Sequence, residues 1–221
     1  MKFSSPLFLI ILFSFSLVLQ GQNDVEWKLV KNSDRIKAYV QKGHSSQLKK
    51  VKVETVLKTS LSELVAAIKD AENHKNWVFL NEKAEVVEEI DEFNWTYYGI
   101  TCTPWPVWDR DFVTKVHLKQ NEIDCSISIL STSIHDSLPE NDGIVRVHYI
   151  RSVWDFNPIG NGTVHISILL EVDPGGNIPI WLINMAVSKG PYKTVEGLIN
   201  EIESGKYKDY KLDYIEEFVL E

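Results

Sequence analysis

The sequence predicts an α+β domain in which a curved antiparallel β-sheet wraps around one long C-terminal helix. Three observations lead there. From Trp27 to Val172, short segments alternate apolar and polar residues between turn-forming clusters, the period of half-buried strands. Within them, Ser60–Ala71 alone switches to helical spacing, through Leu61, Leu64, Val65 and Ile68. Finally, Pro174–Glu203 places Ile178, Trp181, Leu182 and Met185, then Tyr192, Val195, Leu198, Ile199 and Ile202, on one side of a helix.

The chain opens with Lys2 and an almost wholly apolar run from Pro6 to Leu19, closed by a small residue at Gly21. This run is shorter than the ~18–20 residues a spanning helix needs, so residues 1–21 read as a cleaved signal peptide. Trp27–Lys31 and Ile36–Gln41 form a first strand pair around Asn32, Ser33 and Asp34, and Leu48–Leu57 alternates cleanly. Ser60 with Glu63 fits a capping box at the start of the first helix. Strands follow at 84–90, 95–102, 112–119, 123–131, 144–156 and 164–172, with links short enough for an antiparallel meander. Pro174, Gly175 and Gly176 stop the last strand, and Gly190–Pro191 predicts a kink or break in the terminal helix. The domain thus covers residues 24–205, and 206–221 is a tail apolar enough to pack back on it.

A net charge of −8 gives neither nucleic acid nor an anionic membrane a basic patch to grip. The six histidines show no HExxH spacing, and there is no nucleophile elbow or glycine-rich phosphate loop. Cys102 and Cys125 lack metal-ligand spacing. Both fall in predicted strands, and after export they suit a disulfide or two buried thiols equally. No cofactor is indicated.

Strand alternation gives the sheet one apolar and one wet face. Val116 and Leu118 oppose Lys115 and His117; Ile127 and Ile129 oppose Ser126 and Ser128; Ile166, Ile168 and Leu170 oppose His165 and Ser167. An apolar concave face under an amphipathic helix encloses either a packed core or a cavity, and alternation alone does not separate the two. Two strings add to the pattern: PWPVWDRDFV over 104–113 and DPGGNIPIWLIN over 173–184. With AENHKNWVFL around Trp77 and RSVWDFNPIGNGTV from Arg151, they resemble the START (StAR-related lipid-transfer) family, here an exported bacterial member, along essentially the whole chain after the leader.

That resemblance implies a helix-grip fold with a tunnel between sheet and terminal helix that holds a lipid or other hydrophobic molecule. The tunnel wall would include Val116, Leu118, Ile127, Ile129, Val147, Tyr149, Ile166, Ile168 and Leu170 from the sheet, and Met185, Val195 and Ile199 from the helix. Trp105, Val107 and Trp108 would sit at its mouth, capping it or making transient contact with a membrane interface. A void of about 500 Å³ costs on the order of 10 kcal/mol at mutational-series rates, comparable to a whole domain's stability, so it demands an occupant or partial collapse.

Arg151 shares a strand face with Val145, Val147 and Tyr149, so an unbroken strand points it into the tunnel. A one-residue shift points it into water. Arg110 lies between Asp109 and Asp111, where ion pairing would anchor the loop. Sterol-binding members of the family carry a second arginine six residues later, and Val116 stands there instead. The chain reads as a monomeric binding protein rather than an enzyme. The competing readings are an enzyme built in the same cavity, as in some helix-grip relatives, and a groove for a protein segment.

Overall fold

The computed structural model describes residues 27–41, 49–134, 137–176 and 178–218. The leader over 1–21 lies outside them, as does the side chain of Met185. In chain order the elements are β1 (Trp27–Asn32), β2 (Ile36–Gln41), β3 (Lys49–Lys58), α1 (Leu61–Lys69), a 3-10 turn (Ala71–Asn73), α2 (His74–Trp77), β4 (Asn81–Asp91), β5 (Asn94–Thr101), β6 (Asp109–Gln120), β7 (Ile127–Ser133), β8 (Ile144–Arg146), β9 (Tyr149–Gly160), β10 (Thr163–Asp173) and α3 (Ile180–Glu203).

One curved sheet holds every described strand, in the order β1-β2-β3-β10-β9-β7-β6-β5-β4, with β8 alongside β6 in parallel. The meander is therefore two antiparallel wings, joined where β3 pairs with β10 in a register that sets Val53 opposite Ile168. That long-range pairing closes the sheet around α3.

Helix α1 starts as its sequence predicts. The Ser60 hydroxyl accepts the Glu63 amide at 3.1 Å, and the Glu63 carboxylate accepts the Ser60 amide at 3.3 Å. The next orphan donors go to the tail. Glu217 accepts the amides of Leu61 at 2.9 Å and Ser62 at 2.8 Å, which ties the C-terminal segment to the helix N-terminus. At the other end of α1 the buried Tyr207 donates its hydroxyl to Asp70 at 2.8 Å, and Ile215 is buried in the core.

The terminal helix runs without a break through Pro191. Its two halves meet different surroundings. Tyr192, Val195, Leu198, Ile199 and Ile202 are buried in a core with α1, Val51, Val53, Phe156 and Ile166. Trp181, assigned to the apolar side from periodicity, is instead 54% exposed. The buried half sits very close to the chain beneath it, because a Cβ built on Gly197 would fall 2.1 Å from the Trp77 carbonyl oxygen.

Two local expectations fail and one open alternative is decided, each for a backbone reason. Strand β7 begins at Ile127, not Ile123, since Asn121–Ser126 is a turn in which Cys125 has φ +56° and Ile123 is 93% exposed. Cys102, just past β5, and Cys125, just past β6, lie at opposite ends of β6, whose twelve residues span roughly 36 Å at ~3.3 Å each. A disulfide needs Cα atoms within about 7 Å, so both thiols are free. The stretch 144–156 is two strands, interrupted at Val147–His148. There the Ser133 hydroxyl takes a ladder position, donating to the His148 carbonyl at 3.0 Å and accepting the Ile150 amide at 3.2 Å. The break reverses the facing of the β9 residues that follow it.

The Gly197 contact yields a prediction whose sign opposes helix propensity. Alanine in a helix is favoured over glycine by about 1 kcal/mol. Gly197→Ala should nevertheless destabilise the protein by about 2–3 kcal/mol through overpacking against rigid backbone, read as a lower urea midpoint at unchanged m-value.

Candidate functional site

Along the concave face, packed core gives way to a cavity. Leu118, Ile127, Phe156, Val164 and Ile166 are fully buried in the core that the second half of α3 fills. The boundary crosses the sheet at Val116, Ile129, Trp154 and Ile168, which belong to both regions. Beyond it lies a cavity of about 340 Å³. Ile183, Gly190, Pro191 and Thr194 of α3 cover it, and Trp77 to Leu80 flank it. Phe112 and Thr114 of β6, Ser131 of β7, Ile150 and Ser152 of β9, and Leu170 and Val172 of β10 line the sheet side.

One end is formed by Thr101, Thr103 and Arg110 with Pro174 and Ile178. The loop from Cys102 to Trp108 borders this end and is braced from within. The Thr103 amide donates to Asp109 at 2.7 Å, its hydroxyl lies 2.6 Å from the Trp108 carbonyl, and the Arg110 guanidinium donates to that same carbonyl. Trp105 and Trp108 project outward, 91% and 63% exposed.

Predicted wall positions divide along the boundary. Val116, Ile129, Val147, Ile168 and Leu170 line the cavity. Leu118, Ile127 and Ile166 do not, because the second half of α3 fills the space against them, and its Val195 and Ile199 are buried in that same core. The break at Val147–His148 corrects Tyr149 to the outer face and, of the two orientations open to Arg151, selects the outward one, removing it from the ligand wall: Arg151 lies 3.5 Å from Glu171, which also accepts the Tyr149 hydroxyl at 3.3 Å. Val107 is half-buried in the bordering loop, outside the cavity lining. Arg110, expected to anchor the loop by ion pairing, holds it instead through the Trp108 carbonyl, with Asp109 favouring its charge only through space. Asp111 sits on the opposite face of β6, held in a two-pronged pair by Arg146 at 2.7 and 3.0 Å and hydrogen-bonded by Tyr98 and Asn141. Burial opposes its ionisation, yet these partners keep its carboxyl below the usual range.

Sequence reasoning passed over most of the polar lining, including His74, Trp77, Tyr97, Thr114, Ser131 and Ser152, and did not place Arg110 in it. The signal for some of it was present, since the inward parity of Phe112 and Val116 carries Arg110 and Thr114 to the same face. Three of these side chains have buried polar atoms with no partner: Trp77 Nε1, Arg110 Nε and Thr114 Oγ1.

His74 is the opposite case. Its Nε2 donates to the Ile68 carbonyl at 3.0 Å, and its Nδ1 accepts the Tyr97 hydroxyl at 2.9 Å. Burial lowers its pKa to about 4, against the nearby carbonyls and Asp70 that favour the charged form. Both ring nitrogens are committed within the protein, so the imidazole has neither lone pair nor proton to offer a bound molecule. It braces α2 against β5.

A curved sheet gripping a helix over a cavity, mostly apolar with a few convergent polar groups, is a helix-grip architecture with a ligand-sized hollow. The START domain family model matches residues 17–200, and the chain belongs to that family, whose members bind lipids or other hydrophobic ligands. An uncharacterized protein of Pseudomonas aeruginosa is 29% identical over 178 residues, covering 80% of this chain and 87% of that one. The phosphatidylcholine transfer protein of Rattus norvegicus is 25% identical over 169 residues, covering 75% and 78%. Among solved structures, a STAR-related lipid transfer protein from Xanthomonas axonopodis superposes with a TM-score of 0.73 at 28% identity, covering 80% and 98%.

The depressed His74 pKa predicts an acid instability. The unfolded chain protonates this histidine near pH 6.5 and the folded one only near 4, so its contribution is fully present above 6.5 and is lost as pH falls between those values. The loss should be on the order of 3 kcal/mol by pH 4. Denaturant titrations at pH 7, 5.5 and 4 should show His74→Gln losing less stability than the wild type over that range.

Proposed function

We propose that this chain binds one lipid or similar hydrophobic molecule non-covalently in the cavity beneath α3, and hands it to or takes it from a membrane as a monomer. The observation that carries the reading is the 340 Å³ hollow between the sheet and the first half of α3, bordered by a loop with two exposed indoles. Left unfilled, a hollow of this size would cost about 8 kcal/mol at mutational-series rates, so an occupant is strongly favoured. The resemblance to phosphatidylcholine transfer proteins and to a bacterial STAR-related lipid transfer protein supports the same reading. A binding role is favoured over catalysis because His74, the histidine lining the cavity, is used up in internal hydrogen bonds. The reading includes export by the leader over residues 1–21 to the periplasm or beyond, which N-terminal sequencing of the mature protein tests.

Native mass spectrometry of protein purified from its own host should show one co-purified lipid per chain, released into organic solvent. A chain that carries no lipid, and takes none from vesicles, overturns the proposal. Trp105→Ala with Trp108→Ala should weaken vesicle binding by roughly tenfold, since exposed indoles favour the membrane interface, while leaving thermal stability unchanged. Undiminished vesicle binding would remove the membrane-contact part of the reading.

A further inference from the structure

Arg110 is the charged side chain among the described residues lining the cavity, and it is only 6% exposed. A buried cation normally has a carboxylate beside it, because desolvating an ion costs several kcal/mol unless it is compensated. Here the two candidates are turned elsewhere. Asp111 is engaged by Arg146 on the opposite face, and Asp109 accepts the Thr103 amide, influencing Arg110 only through space. The guanidinium donates to the Trp108 carbonyl and leaves Nε with no acceptor.

The surroundings grade away from this point. Thr114 stands on the same strand face about 13 Å further along β6, four residues at ~3.3 Å, and its hydroxyl is also unpartnered. Trp77 presents a third unpartnered donor. Past them Ser131 and Ser152 share a cross-strand row with Val116 and Leu170, and beyond that row the wall is apolar through Ile129, Trp154 and Ile168. Each unpartnered group can donate a hydrogen bond, so oxygen-bearing ligands are favoured over plain hydrocarbon.

We propose that the ligand is an amphiphile bearing an anionic group, a carboxylate or a phosphate ester, that docks against Arg110 at the Thr101–Thr103 end while its hydrocarbon runs inward past Phe112 and Val116 toward Trp154. The inference rests on the lipid-binding reading above and narrows it. A guanidinium edge matches the paired oxygens of both groups, which a neutral hydroxyl does not offer. A bound anion would supply the counter-charge that the protein omits.

The test compares ligands differing only at the head. Oleate against oleyl alcohol probes a carboxylate, and dioleoyl phosphatidic acid and phosphatidylcholine against dioleoylglycerol probe a phosphate, each measured by native mass spectrometry with the purified chain. The wild type should prefer at least one charged member over its neutral partner by about tenfold or more, the effect of a hydrogen bond to a charged group. Arg110→Met should bring that ratio to within about twofold, and Arg110→Lys should keep part of it. Without ligand, Arg110→Met should melt at or above the wild-type temperature, because an uncompensated buried charge is removed. A residue that only anchored the loop would instead lower the melting temperature and leave the head-group ratio unchanged, which overturns the proposal. Equal wild-type affinity for charged and neutral partners also overturns it, needs no variant to fold, and leaves the lipid-binding reading intact. Uptake of none of the five removes that reading and this inference together.

Discussion

The fold depends on one steric fact: a single helix cannot fill the whole concavity of the sheet it closes. Its second half reaches the floor because Gly197 lets the helix backbone meet the Trp77 carbonyl, and the side chains of Val195, Leu198, Ile199 and Ile202 then pack solidly. Toward Ile183 the helix roofs a hollow instead. Core and cavity are two consequences of one packing arrangement, with the well-packed half stabilising the domain while the other half remains open to a guest. The N-terminal strands and the tail reinforce the packed half. β3 pairs with β10 over the core, and Glu217 reaches across the chain to the α1 amides.

Polar groups are distributed in keeping with this division. On the outer face they are matched: Asp111 with Arg146, Tyr98 and Asn141, and Glu171 with Lys50, Arg151 and Tyr149. At the wall of the hollow, His74 is matched, but Arg110, Trp77 and Thr114 retain unpaired capacity. A protein interior seldom leaves buried polar atoms without partners, so three donors around one cavity suit a guest that accepts hydrogen bonds. This arrangement sets a buried charge at one end of a mostly apolar wall, a property the apolar face of the sheet did not suggest.

Element type and order were legible because hydrophobic period is a local property. The strand alternation of 164–172, the helical spacing at Leu61, Leu64, Val65 and Ile68, and the Ser60–Glu63 capping box each needed only neighbouring residues to be read. Site residues were legible only in part. Val116, Ile129, Ile168 and Leu170 follow from parity, but Leu118, Ile127 and Ile166 share that parity and lie in solid core, because inward facing does not tell how far the helix reaches. The facing of Arg151, open in the sequence, was decided by one broken ladder position, where the Ser133 side chain substitutes for backbone and reverses the facing along the rest of β9.

By itself, then, the amino-acid order determined the succession of strands and helices, the existence of an oily concave side, and a closing helix near the C-terminus, since all of these follow from the spacing of side chains along one stretch of chain. Only the tertiary structure decided where the filled interior ends and the hollow begins, which wing of the sheet meets which, and that Arg110 faces inward without a counter-ion. Those features depend on distances between segments remote in the chain, Gly197 against Trp77 and Asp111 against Arg146, and no local period encodes them.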